Sequence, residues 1–120
     1  MREIKFRAWD KSRQHPCMIE VEALMYDEFD KMSICGKPFD EDNGGFTHLE
    51  EGEFDLIQYT GLKDNNGVEI YEGDIFKPLY NKLGNYIVTF KNGRFNISDF
   101  SHSQCKIIGN IHQHPELIEA

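Results

Sequence analysis

The sequence predicts an all-β fold, a small barrel or roll of β-hairpins interrupted by a long irregular acidic insertion. Three observations support this. Short segments alternate apolar and polar residues with a period of two, glycine-centred turns separate them, and no stretch sustains the 3.6-residue apolar repeat of an amphipathic helix. The 120 residues are read as one domain spanning 1–120. With 39% hydrophobic residues, among them 9 Phe, 5 Tyr and 1 Trp, such a chain can build a core without a disulfide or metal staple.

The elements follow in order. Ile4, Phe6 and Ala8 alternate with Lys5 and Arg7, giving a first strand that ends at Trp9. Ile19, Val21 and Ala23 alternate with Glu20 and Glu22, giving a second strand that faces water through its carboxylates. Periodicity then dissolves over residues 27–53, where Pro38, Gly44, Gly45 and Gly52 punctuate an acidic stretch, so this segment is expected to be irregular. Order returns with a strand over 54–59, a turn at 64–67 built from residues that tolerate positive φ, and a strand over 68–71. Gly73 and Asp74 form a second turn before Ile75 and Phe76. Pro78 cannot donate to a ladder, so that strand should lie at an edge or stop there. Tyr86, Val88 and Phe90 face Phe95 and Ile97 across Asn92–Gly93, a pair suited to a type I′ hairpin. Residues 106–111 read as a last strand, and the tail holds at most a turn of helix with Pro115 near its start.

Charge is unevenly spread. The net −8 conceals a centre, residues 20–74, with 16 acids against 3 bases, or −13, between ends of +3 and +2. An acidic chain repels phosphate backbones, which disfavours general nucleic-acid binding. The acidic centre would instead attract a basic partner or mimic nucleic acid towards a protein that binds it. Asp40, Glu41, Asp42, Glu50, Glu51 and Glu53 are the candidate partner surface. The alternative is a small β-barrel that binds nucleic acid through its basic first strand, where Arg2, Lys5, Arg7, Lys11 and Arg13 gather near Phe6 and Trp9.

Candidate chemistry is sparse. Asp40, Asp42, Gly45 and Glu51 fall at the first, third, sixth and twelfth positions of a calcium loop, but Gly44 stands where an oxygen ligand is needed and amphipathic flanking helices are missing. His112 and His114 would share a strand face, yet their spacing from Cys105 fits no zinc pattern. Cys17 near His15 has nothing to orient the base. Phosphate-cradling and dinucleotide fingerprints are absent. The expectation is a non-enzymatic protein without cofactor or metal. Cys17, Cys35 and Cys105, odd in number and widely spaced, read as free thiols, and the N-terminus reads as neither a secretory signal nor a membrane span.

Three segments carry a family resemblance: IKFRAWDK at 4–11, LIQYTGLKDNNGVEIYEGDIF at 56–76 and IIGNIHQHPELI at 107–118. In order and from end to end, they resemble the YopX family of bacteriophage and prophage proteins. The family's motif falls on Trp9, Asp10, Tyr59, Thr60, Gly61, Leu62, Asp64, Gly67, Tyr71, Glu72, Gly73 and Asp74, positions to which physical chemistry gives structural work. The resemblance implies an SH3-like barrel and an accessory protein of the bacterial host's cytoplasm, with no established enzymatic activity or cofactor. Self-association is expected, together with binding of a host protein in a regulatory or anti-defence role. Nucleic acid ranks below both as a partner, and a membrane is not expected.

Overall fold

The computed structural model describes residues 4–12, 16–39, 47–79, 84–99 and 104–118. They pack as two compact units, Lys5–Gln58 and a second built from Tyr59 onward. Both are all-β and antiparallel, and the strand orders are open rather than closed on themselves.

The first unit contains β1 (Phe6–Asp10), β2 (Cys17–Tyr26), β3 (Met32–Pro38), β4 (Thr47–Glu50) and the start of β5 (Phe54–Lys63), in the order β4-β3-β2-β1-β5. Alternation puts Ala8 and Ile19 inside, where they meet Ile34, Leu49 and Phe54, with Val21, Leu24 and Leu56 at the margin. The first strand runs one residue beyond Trp9 to Asp10 and begins only at Phe6, leaving Ile4 75% exposed. The second strand is longer at both ends than its alternation over 19–23 predicts.

The irregular segment expected over 27–53 is corrected by two strands within it, β3 and β4. In β3 the buried face is Ile34, Gly36 and Pro38, so two of its three inward positions carry no hydrophobic signature. In β4 only Leu49 is buried. Gly36 is required by close approach: a Cβ there would collide with the Glu20 carbonyl oxygen, next to the register shift between Val21 and Ala23.

The second unit contains the remainder of β5, β6 (Glu69–Tyr71), β7 (Asp74–Pro78), β8 (Tyr86–Ile87), β9 (Phe90–Lys91), β10 (Arg94–Phe95) and β11 (Cys105–Asn110). One sheet runs β11-β7-β8, and β9 and β10 form a separate ribbon. Ile70, Phe76, Val88, Phe95, Ile97 and Cys105 make the core. Pro78 does end β7. That strand is central rather than an edge, and Pro78 is tolerated because β8 pairs only with Ile75 and Phe76.

The hairpin at Asn92–Gly93 forms with positive φ at both residues, 55° and 80°, as its turn type demands. Its arms are two residues each, shorter than predicted. The Asn96 side chain is the reason: its carbonyl accepts the Thr89 N–H at 2.9 Å while its amide donates to the Ile87 carbonyl at 2.7 Å. A side chain thus occupies the place of a strand partner, and residues 96–99 turn into a short 3-10 helix. A second such turn, Pro115–Leu117, closes the described chain with Pro115 at its start.

Candidate functional site

The motif residues build turns. The Asp64 carboxylate is buried, and its Oδ1 accepts the N–H groups of Asn66 (2.8 Å) and Val68 (2.9 Å). Its Oδ2 reaches across to β11 and accepts the Ile107 N–H at 3.0 Å, while Asn65 N–H donates to the Cys105 carbonyl. One side chain therefore folds the turn and fastens it to another strand. Gly67, at φ 79°, completes it. Upstream, Gly61 at φ 87° lies in the irregular stretch of the β5–β6 pairing between Tyr59 and Lys63. Thr60 spans that irregularity, its hydroxyl donating to the Ile70 carbonyl and accepting the Leu62 N–H. Leu62 packs against the core, and the Tyr59 and Tyr71 rings lie 5.2 Å apart.

At the next turn the buried Asp74 accepts the Tyr71 N–H at 2.8 Å. Gly73, at φ 86°, donates to the Val88 carbonyl and accepts the Ile111 N–H. Glu72 between them is half-buried. In the first unit Asp10 is fully buried and its Oδ1 accepts both the backbone N–H and the hydroxyl of Ser12, shaping the exit of β1; Trp9 is half-buried. The carboxylates of Asp10, Asp64 and Asp74 thus accept local hydrogen bonds that define chain reversals. Cys105 lies in the core beside this region, where burial pushes its thiol above the ordinary value of 9.0 and the Asp64 charge adds to the shift.

Of the candidate acidic surface, Asp40, Glu41 and Asp42 lie outside the described residues, as does Gly45 of the calcium-loop pattern. Glu50, Glu51 and Glu53 occupy the turn between β4 and β5. Glu53 is half-buried and its Oε1 accepts the Glu50 N–H at 2.8 Å, whereas Glu50 and Glu51 face solvent. Glu50 also lies 3.5 Å from the His48 imidazole.

Sequence reasoning missed a second acidic feature, the tip between β2 and β3 at residues 27–31. Asp27 Oδ1 accepts the N–H groups of Phe29 (2.8 Å) and Lys31 (2.9 Å), and the backbone closes with Asp27 N–H to Lys31 O and Asp30 N–H to Asp27 O. This fixed tip leaves Phe29 75% and Tyr26 66% exposed beside Glu28 and Asp30. The Asp at 27 followed by a second at 30, between two apolar strands, was the available signal.

Of the basic residues near the first strand, two have contacts given by the structure. The Arg7 guanidinium lies 4.8 Å from the Phe39 ring centroid, Lys11 pairs with Asp55 at 3.0 Å, and Arg2 and Arg13 lie outside the described residues. A cationic cleft of about 180 Å³ occurs on the β9–β10 ribbon, lined by Thr89, Lys91, Asn92, Arg94 and Asn96. Lys91 and Arg94 are directly opposite in register.

Among the described residues, no group of three or more His, Cys, Asp or Glu side chains is placed to hold a metal ion. His114 accepts the Asn110 N–H through Nδ1, while Cys17 lies half-buried at the margin of the first core and His15 is outside the described residues. No helix is long and apolar enough to cross a membrane among the described residues.

Comparison with curated proteins gives no match. Protein EF1440 from Enterococcus faecalis is a similar solved structure, 28% identical with a TM-score of 0.68, the match covering 99% of this chain and 100% of that one. YopX from Bacillus subtilis, 17% identical with a TM-score of 0.57 over 100% of this chain and 98% of that one, is similar in fold. The family model described as YopX protein matches residues 5–119, a span that takes in both sets of signature turns. By that match the chain belongs to the YopX family.

Proposed function

We propose that the protein is a non-enzymatic accessory protein of a phage or prophage, acting in the cytoplasm of the bacterial host by binding other protein chains, including its own. The observation that carries this reading is the acidic tip of the first unit, where Tyr26 and Phe29 stand in solvent on a hydrogen-bonded turn flanked by Glu28 and Asp30. Exposed aromatics on a preorganised support are what binding hot spots are made of, and a carboxylate rim steers a basic partner towards them. Glu50 and Glu51 extend the same sign of charge to the β4–β5 turn. The motif carboxylates have structural work in turns, which supports a binding role over an enzymatic one. A regulatory or anti-defence role on host machinery follows by analogy with other phage accessory proteins. Affinity capture from a bacterial host lysate is expected to retain a defined protein at low salt and to lose it as salt rises. Charge reversal at Glu50 and Glu51 is expected to weaken retention. Capture of no specific protein at low salt would overturn the host-binding part of the reading.

A further inference from the structure

The cleft on the β9–β10 ribbon sets two cations against each other. Lys91 and Arg94 lie directly opposite one another across a two-residue turn, which puts both positive charges on the same face of the ribbon. Both line a concave surface with the polar side chains of Thr89, Asn92 and Asn96. Its shape is supported by Asn96, which is bonded on both sides, and by the tight Asn92–Gly93 turn at positive φ. Such a surface offers donors and positive charge and fits an anion. At about 180 Å³ it lies below the roughly 300–1,000 Å³ of small-molecule sites, so it suits a side chain or two rather than a cofactor.

The chain itself presents a matching group. The 27–31 tip carries Glu28 and Asp30 in solvent, with Phe29 between them, on a backbone held in shape by Asp27. Tip against tip would bring carboxylates onto carboxylates, so charge rules out a symmetric pairing through this element. Tip against cleft brings opposite charges together. We propose that the 27–31 tip of one copy docks in the Lys91–Arg94 cleft of a second copy, with Glu28 and Asp30 meeting the two cations and Phe29 removed from water. This rests on the protein-binding reading above and names the contact for its self-association. Each copy has one tip and one cleft, so the contact either closes reciprocally into a two-fold dimer or repeats head-to-tail into a larger ring or an open chain.

Light scattering of the full chain tests this through charge reversal. At low salt the wild type is expected above its 14.0 kDa monomer mass and to fall towards it as salt rises. E28K/D30K has a basic tip and a basic cleft, and K91E/R94E an acidic tip and an acidic cleft. Each alone is expected at 14.0 kDa. Mixed in equal amounts, they regain the larger mass, because each tip then meets a cleft of opposite sign. Recovery on mixing also shows that both variants are folded. F29S, which leaves charge untouched, is expected to raise the association midpoint about tenfold. A wild type that assembles while both reversals assemble equally well overturns this contact but leaves the protein-binding reading standing. Failure of the mixture to recover does the same. A wild type at 14.0 kDa at every salt overturns the contact and the self-association together, leaving host capture to decide the rest.

Discussion

Asp64 serves two places in the chain at once, its own turn and β11. Removing its carboxylate leaves three backbone N–H groups, on Asn66, Val68 and Ile107, without their acceptor. Hydrogen bonds to an ionised group contribute more than neutral ones, so Asp64→Ala is expected to lower unfolding free energy by about 3 kcal/mol, read from denaturant melts. Its neighbour Cys105 gives a pH signature. The thiol's folded value is raised above 9.0 by burial first and by the Asp64 charge second. The unfolded chain releases this proton near 9.0, earlier than the folded chain does. The contribution is therefore full below pH 9.0 and is lost as pH climbs through the raised folded value. Stability curves of the wild type and Cys105→Ala are expected to run parallel below that point and to converge above it. The roles of Asp64, Asp74 and the glycines at 67 and 73 were legible in the sequence, because turn chemistry is local, whereas Gly61, expected to free a turn, lies inside β5 where its pairing with β6 is irregular. The bond from Asp64 to Ile107 was not legible, since it joins residues 43 apart in the chain.

At the scale of elements, legibility followed side-chain chemistry. β1, β5, β7 and β11 announce themselves through alternating or continuous apolar residues. β3 was hidden because Gly36 and Pro38 fill inward positions that a pattern reader expects to be Val or Ile, and β4 because four residues with a single buried Leu are too short to show a period. The ribbon failed in the opposite direction: Phe90 completes an apolar alternation, yet it is 50% exposed because Asn96 interrupts the ladder. The 27–31 tip depends on one residue. Asp27→Ala is expected to speed amide exchange at Phe29 and Lys31 about tenfold, the worth of a net hydrogen bond or so, while the strands on either side keep their protection.

For the whole molecule, the total of −8 is a poor guide and its distribution a better one. The acidic field of residues 20–74 survives folding at two described places, the 27–31 tip and the Glu50–Glu51 corner. At the basic first strand, Arg7 stacks on Phe39 and Lys11 is matched by Asp55. The candidate partner surface was half legible in composition only: the acids were countable, but the exposure of Tyr26 and Phe29 among them was not. Their charge predicts the salt dependence of capture. Exposed charges are screened beyond about 10 Å at 0.1 M salt, so retention through these surfaces should fall steadily rather than abruptly.

Under the proposed binding role, the construction of the tip sets how its specificity changes over time. Asp27 makes the shape, whereas Phe29 takes part through its backbone N–H, and Glu28 and Phe29 leave their side chains in solvent. Those two positions can drift, and so follow an altering target, without a refolding penalty. Asp30, at φ 60°, is held to the few residue types that accept that geometry. A lineage that changes targets would therefore be expected to vary at 28 and 29 while keeping Asp at 27 and Asp, Asn or Gly at 30.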